Sequence, residues 1–177
     1  GNHIGNLLGD DEAANNTVIR KAILEAVDVW PGEGEANTLR KALMALSADS
    51  DFIFDLHCHG EAIQYLYFPE DHWERYGDLA AELGCRTILF FPTDSGSTFD
   101  TAPTMIWHAL RERFPDRPIG VAPFTTTLEL RGQNDVGDDL ALEDAKGLWR
   151  FLQRHGMLAG DPGDPPDLLC EPTPLGG

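Results

Sequence analysis

The chain has 177 residues, 30 of them acidic and 13 basic, for a formal net charge of −17. Such a charge repels phosphate backbones and anionic membrane surfaces, so neither nucleic acid nor membrane is expected as a partner. With 42% hydrophobic and 9% aromatic residues the chain can bury a core, and its size suits one domain. No apolar stretch nears the roughly 20 residues of a membrane span. The opening Gly1 to Asp10 lacks a basic start and an apolar core, so no signal peptide is expected. Cys58, Cys85 and Cys170 form no Cys-x-x-Cys pair. They fit free thiols, packed as small apolar groups, in a reducing cytoplasmic compartment.

In chain order, residues 1–15 are polar and read as a loop. Asn16 or Thr17 can cap a helix running to about Trp30, since Val18, Ile19, Ala22, Ile23, Ala26 and Val27 recur at helical spacing. Pro31-Gly32 stops it. Thr38 to Ala48 fits a second helix. Asp51 to His57 reads as a buried strand and Gln64 to Phe68 as a short one. Pro69 opens a helix through Leu83, stopped by Gly84. Arg86 to Phe91 is a buried-type strand. Pro92 to Thr98 is a loop in which Thr93 to Ser97 could hold an anion but lacks phosphate-loop spacing. Ala102 to Phe114 is helical, Ile119 to Leu130 extended, and Ala141 to His155 helical. From Gly160 onward the Asp-Pro-Gly-Asp-Pro-Pro stretch reads as a linker. The expected organisation is an α/β domain over residues 1–160 and a Pro/Gly-rich linker over 161–177. Alternation of strands and helices after residue 51 predicts a mostly parallel, mixed sheet flanked by helices.

Chemistry concentrates in Asp55-Leu56-His57-Cys58-His59-Gly60-Glu61, at the end of the apolar run Phe52-Ile53-Phe54. Open α/β sheets place their sites at such strand tips. Asp55 and His57 lie two apart, so on a strand they share a face. One can bind a metal or act as a base while the other orients it by a hydrogen bond. Glu129 comes after Thr125-Thr126-Thr127-Leu128 near another strand end and is the candidate general base. Arg131, two further on, is expected on the same face as Glu129, where it could grip a substrate carboxylate. Cys58 reads as a packed thiol rather than a nucleophile. His72 and His155 read as solvent-facing.

These segments resemble the succinylglutamate desuccinylase/aspartoacylase family, a branch of the zinc carboxypeptidase-like fold. Asp55-Leu56-His57 is similar to the family segment whose His is the third zinc ligand. Thr127-Leu128-Glu129-Leu130-Arg131-Gly132 resembles the strand carrying its catalytic glutamate. The helix ending at Gly156-Met157-Leu158, and Cys170-Glu171-Pro172-Thr173-Pro174-Leu175, resemble the family's segments after that strand. The resemblance implies a zinc cofactor, a small-molecule N-acyl amino acid or amide as substrate, and an amide-cleaving reaction. His57 would be a metal ligand, Glu129 the general base, Arg131 a substrate contact and Asp55 the support of His57. A homo-oligomer stays open. The family's upstream His-x-x-Glu ligands, its Asn-Arg pair and its C-terminal β domain are not found, so the expectation is an internal fragment of a longer enzyme.

Two other readings compete. Asp-Leu-His-Cys-His-Gly also resembles the opening of metal-dependent phosphoesterases in which both histidines bind metal, which would make His59 a ligand. Alternatively the chain is an inactive α/β module that folds or binds a partner.

Overall fold

Helices open the chain. In the computed structural model, which describes residues 4–91, 98–120, 123–171 and 173–174, a short 3₁₀ turn at Ile4–Asn6 precedes α1 (Glu12–Asp28). Asp11 caps α1 by accepting a hydrogen bond from Ala14 N at 2.7 Å. The helix therefore starts ahead of the Asn16 or Thr17 expected from the apolar spacing. Asn15 lies inside the helix and is buried, bonding both backbone groups of Gly9 and the carbonyl of Pro118. Next come α2 (Glu35–Ala48), β1 (Phe52–His59) and β2 (Gln64–Pro69). The helix expected from Pro69 to Leu83 is broken into a 3₁₀ turn (Glu70–His72), α3 (Trp73–Tyr76) and α4 (Asp78–Glu82), parting at Gly77. The remaining elements are β3 (Thr87–Phe91), α5 (Ala102–Arg113), β4 (Phe124–Gly132), α6 (Asp138–Arg154) and β5 (Thr173–Pro174). The Thr93 to Ser97 loop, His3, Pro172 and Leu175 lie outside the described residues.

The chain divides into two compact units. The first joins Gly1–Ile53 to Thr93–Thr125. Its core sets Ile19, Ile23 and Val27 of α1 with Leu8, Ala48, Trp107 and Ile119. Burying each large apolar side chain contributes about 1.5–3 kcal/mol. A buried hydrogen bond of 2.9 Å joins the Thr104 and Thr125 hydroxyls.

The second unit, Phe54–Pro92 with Thr126–Gly177, carries most of the sheet. Strand order is β1-β4-β2-β3-β5. β2 runs antiparallel to β4 and parallel to β3, and β3 runs parallel to β5. Phe124 N donates to Asp51 O and Gln133 N to His59 O, in the same sense along both strands, so β1 and β4 are parallel. The sheet is therefore mixed and mostly parallel, as the alternation predicted. β1 is an edge strand, and residues 56–59 are exposed rather than buried. The apolar run Phe52-Ile53-Phe54 covers only its first half. α6 and α3 pack on one face through Phe151, which meets the rings of Phe54 at 5.9 Å and Tyr76 at 6.4 Å. Among the described residues no helix is long and apolar enough to cross a membrane.

Candidate functional site

β4, which lies between β1 and β2 in the sheet, carries Glu129. Thr125, Thr126, Thr127, Leu128 and Glu129 are all buried, with Glu129 8% exposed. Glu129 Oε2 is buried and meets no hydrogen-bond partner among the described residues. Buried carboxylate oxygens normally find donors, and leaving a buried polar group unmet costs about 1–3 kcal/mol.

The neighbour on one side is β1. The bond from Phe124 N to Asp51 O sets Phe52 beside Phe124. Carried five residues along both strands, this register sets His57 beside Glu129, with backbones about 4.8 Å apart. Partners in a parallel ladder share a face, so the Asp-Leu-His segment and the glutamate strand meet at one strand end. Asp55 Oδ2 lies 3.1 Å from His57 Nε2, which fulfils the expected same-face geometry. The other ring nitrogen, Nδ1, is the one left for a ligand. His59 is part of β1 rather than of the loop after it. It is exposed, and its carbonyl accepts from Gln133 N at 2.7 Å.

On the other side β2 faces β4, with Tyr65 opposite Glu129 and Tyr67 opposite Thr127. The two phenol rings meet edge-on, 5.5 Å apart. Burial pushes the Tyr65 hydroxyl up to about 12, with Glu129 and Tyr67 adding to the shift. Neither tyrosine is among the site residues expected from the sequence. The signal is present there, since Gln-Tyr-Leu-Tyr-Phe alternates and sets both rings on one face.

Arg131 departs from its expected position. The Gln133 N to His59 O bond shows that β4 has gained one residue against β1 by that point. Pairing with β2 runs unbroken through Leu130, and Arg131 comes next with φ +82°. Together these mark a β-bulge at Arg131, which turns its side chain off the Glu129 face. Its Nη1 and Nη2 donate to the two Asp144 oxygens at 2.8 and 2.7 Å, and Nη2 also donates to Gln64 Oε1 at 3.2 Å. These Asp144 hydrogen bonds raise the guanidinium pKa against the opposing effect of burial. Gln64 alternates with Tyr65, so Arg131 lies on the α6 side. The expected sharing of a face with Glu129 therefore does not hold.

Three other expectations differ. Cys58 is exposed rather than packed, because its half of the edge strand is uncovered. His72 is buried rather than solvent-facing. His155 sits 3.1 Å from both Asp78 oxygens and 4.4 Å from the Phe151 ring. A groove of about 620 Å³ runs between β1 and α6, lined by His57 and Arg131 together with Leu56, Cys58, Leu130 and Val136 among others. Glu129 does not line it. A catalytic zinc takes three protein ligands. Among the described residues no group of three His, Cys, Asp or Glu side chains comes together to hold one.

No family model and no curated protein matches the chain. Solved structures do. A Shewanella frigidimarina protein described as a succinylglutamate desuccinylase/aspartoacylase superposes with a TM-score of 0.76 and 25% identity, over 93% of this chain and 45% of that one. A Shewanella amazonensis protein described as of the same family gives 0.73 and 26%, over 93% and 46%. A succinylglutamate desuccinylase/aspartoacylase from Rhodobacter sphaeroides gives 0.51 and 15%, over 85% and 44%, and bears on the fold alone. The chain thus spans less than half the length of these structures. The resemblance expected from the Asp-Leu-His and Thr-Leu-Glu segments extends to three dimensions.

Proposed function

We propose that this chain, which shares its fold with succinylglutamate desuccinylase/aspartoacylase structures, forms part of a hydrolase cleaving the amide bond of an N-acyl amino acid or similar small amide. The observation that carries the proposal is Glu129: a buried carboxylate with one oxygen that meets no partner among the described residues, beside His57 in the register carried along β1 and β4. Glu129 takes a proton from a water as that water attacks the acyl carbonyl. It then delivers the proton to the leaving nitrogen as the C–N bond breaks, so that a carboxylic acid and an amine depart and the carboxylate is restored.

His57 would serve as one zinc ligand through Nδ1, with Asp55 fixing its ring. The described residues do not complete a zinc site. The remaining ligands would come from polypeptide beyond these residues, and the chain alone is expected to be inactive. The phosphoesterase alternative needs His59 and further ligands around one ion, and nothing in the arrangement favours it. A cytoplasmic location remains a proposal that rests on the free thiols.

The test is steady-state hydrolysis of N-acyl amino acids by the full-length protein and its Glu129→Gln variant. General acid–base catalysis contributes typically 10²–10⁴-fold, and a loss of that order is expected with zinc content and fold retained. Near-wild-type kcat in Glu129→Gln would move the base elsewhere.

A further inference from the structure

Residues 157–171 form neither helix nor strand. Side chains of α6 nevertheless hold this segment against its own unit. Gln153 Nε2 donates to Ala159 O at 3.0 Å, and Arg154 Nη1 to Gly163 O at 3.1 Å. At the far end Cys170 Sγ donates to Cys85 O at 3.4 Å. Cys85 stands between α4 and β3 and is fully buried, whereas Cys170 is partly exposed. A disulfide needs Cα atoms about 4.4–6.8 Å apart. A sulfur in contact with the other cysteine's own carbonyl sets the two residues side by side. They are 85 residues apart in the chain, so a bond between them would close a long loop, the case in which a cross-link restricts the unfolded chain most.

We infer that Cys85 and Cys170 form a reversible disulfide under oxidising conditions, clasping residues 157–171 to the start of β3. The structure shows the reduced form, with both thiols free. The oxidant is a small disulfide such as oxidised glutathione, and it meets Cys170 first because Cys85 is buried. The Cys170 thiol gives up its proton, its sulfur attacks one glutathione sulfur, and one glutathione leaves and takes up a proton. Cys85 then gives up its proton and attacks the Cys170 sulfur of the mixed disulfide, expelling the second glutathione as a thiol. Two protein thiols are oxidised by two electrons, and one glutathione disulfide is reduced to two thiols.

Burial pushes the Cys85 thiol up to about 12, with Cys170 and Asp144 adding to the rise and Arg131 opposing it. Burial also pushes Cys170 up, with Glu171 adding. Thiolate is the attacking form, so both thiols resist brief oxidation and the clasp closes slowly, over about minutes to hours.

The test uses the full-length protein carrying Cys58→Ser, which removes the exposed thiol of β1. After incubation with oxidised glutathione and a maleimide quench, peptide mapping without reduction should find Cys85 linked to Cys170, and dithiothreitol should reverse the link. Thermolysin cleavage within residues 157–171 should slow by roughly tenfold or more on oxidation, since the link suppresses local opening. Cys170→Ser should remove both effects with circular dichroism unchanged, and Cys85→Ala serves as the second variant. Glutathione left on Cys170 without the link, a link from either cysteine to another thiol, or equal cleavage of the oxidised and reduced forms would overturn the inference.

Discussion

Arg131 is the non-glycine residue that the described structure holds at positive φ, a conformation costing roughly 1–2 kcal/mol. The bidentate Asp144 pair offsets this strain, with the two side chains 18% and 12% exposed. Removing one partner of such a pair leaves a largely buried charge unmet, at a cost of about 3 kcal/mol. Arg131→Ala should therefore destabilise by about that much in urea denaturation. Arg131→Gly loses the same pair but relieves the backbone, so it should be more stable than Arg131→Ala by about 1 kcal/mol. Wild-type stability in Arg131→Ala would return the guanidinium to substrate binding. The bulge explains why sequence alone misplaces this residue. The rule of two holds on a regular strand, and nothing in Leu-Glu-Leu-Arg-Gly announces an inserted residue beyond the adjacent Gly132. Asp55 and His57 are placed correctly because β1 is regular across them.

α6 shows how one glycine sets the approach of two elements. A Cβ on Gly147 would lie 2.6 Å from the backbone oxygen of Glu82 in α4. The Glu82 side chain is fully buried, and Arg150 Nε and Arg154 Nη2 donate to its two oxygens at 2.6 Å each. The carbonyl cannot recede without disturbing this clamp. Gly147→Ala gains about 1 kcal/mol of helix propensity, against an overpacking cost of about 1–3 kcal/mol. A lower melting temperature is expected, and an unchanged or raised one would show that α4 yields. Helices such as α1, α2 and α5 are readable because apolar spacing is local. The edge position of β1 is not, since it depends on which strands pair at long range. β5 gives no signal because it is only two residues of a Pro-rich stretch, paired opposite Leu89 and Phe90 of β3.

At the scale of the whole molecule, zinc is the decisive quantity. The chain covers 45% and 46% of the Shewanella structures it matches, and its described residues bring one imidazole, His57, to the strand end beside Glu129. Metal affinity at a three-ligand site depends on all three groups, and losing two removes most of it. The 177-residue chain, purified and dialysed against a chelator, should therefore hold far less than one zinc per molecule by elemental analysis. The full-length protein should hold about one, and His57→Ala should lower that content while circular dichroism stays unchanged. The two measurements separate the roles at this strand end: Glu129→Gln loses rate and keeps zinc, whereas His57→Ala loses zinc and rate together. Stoichiometric zinc surviving in the short chain would place the missing ligands within it, with His59, Glu61 and His3 the first to substitute.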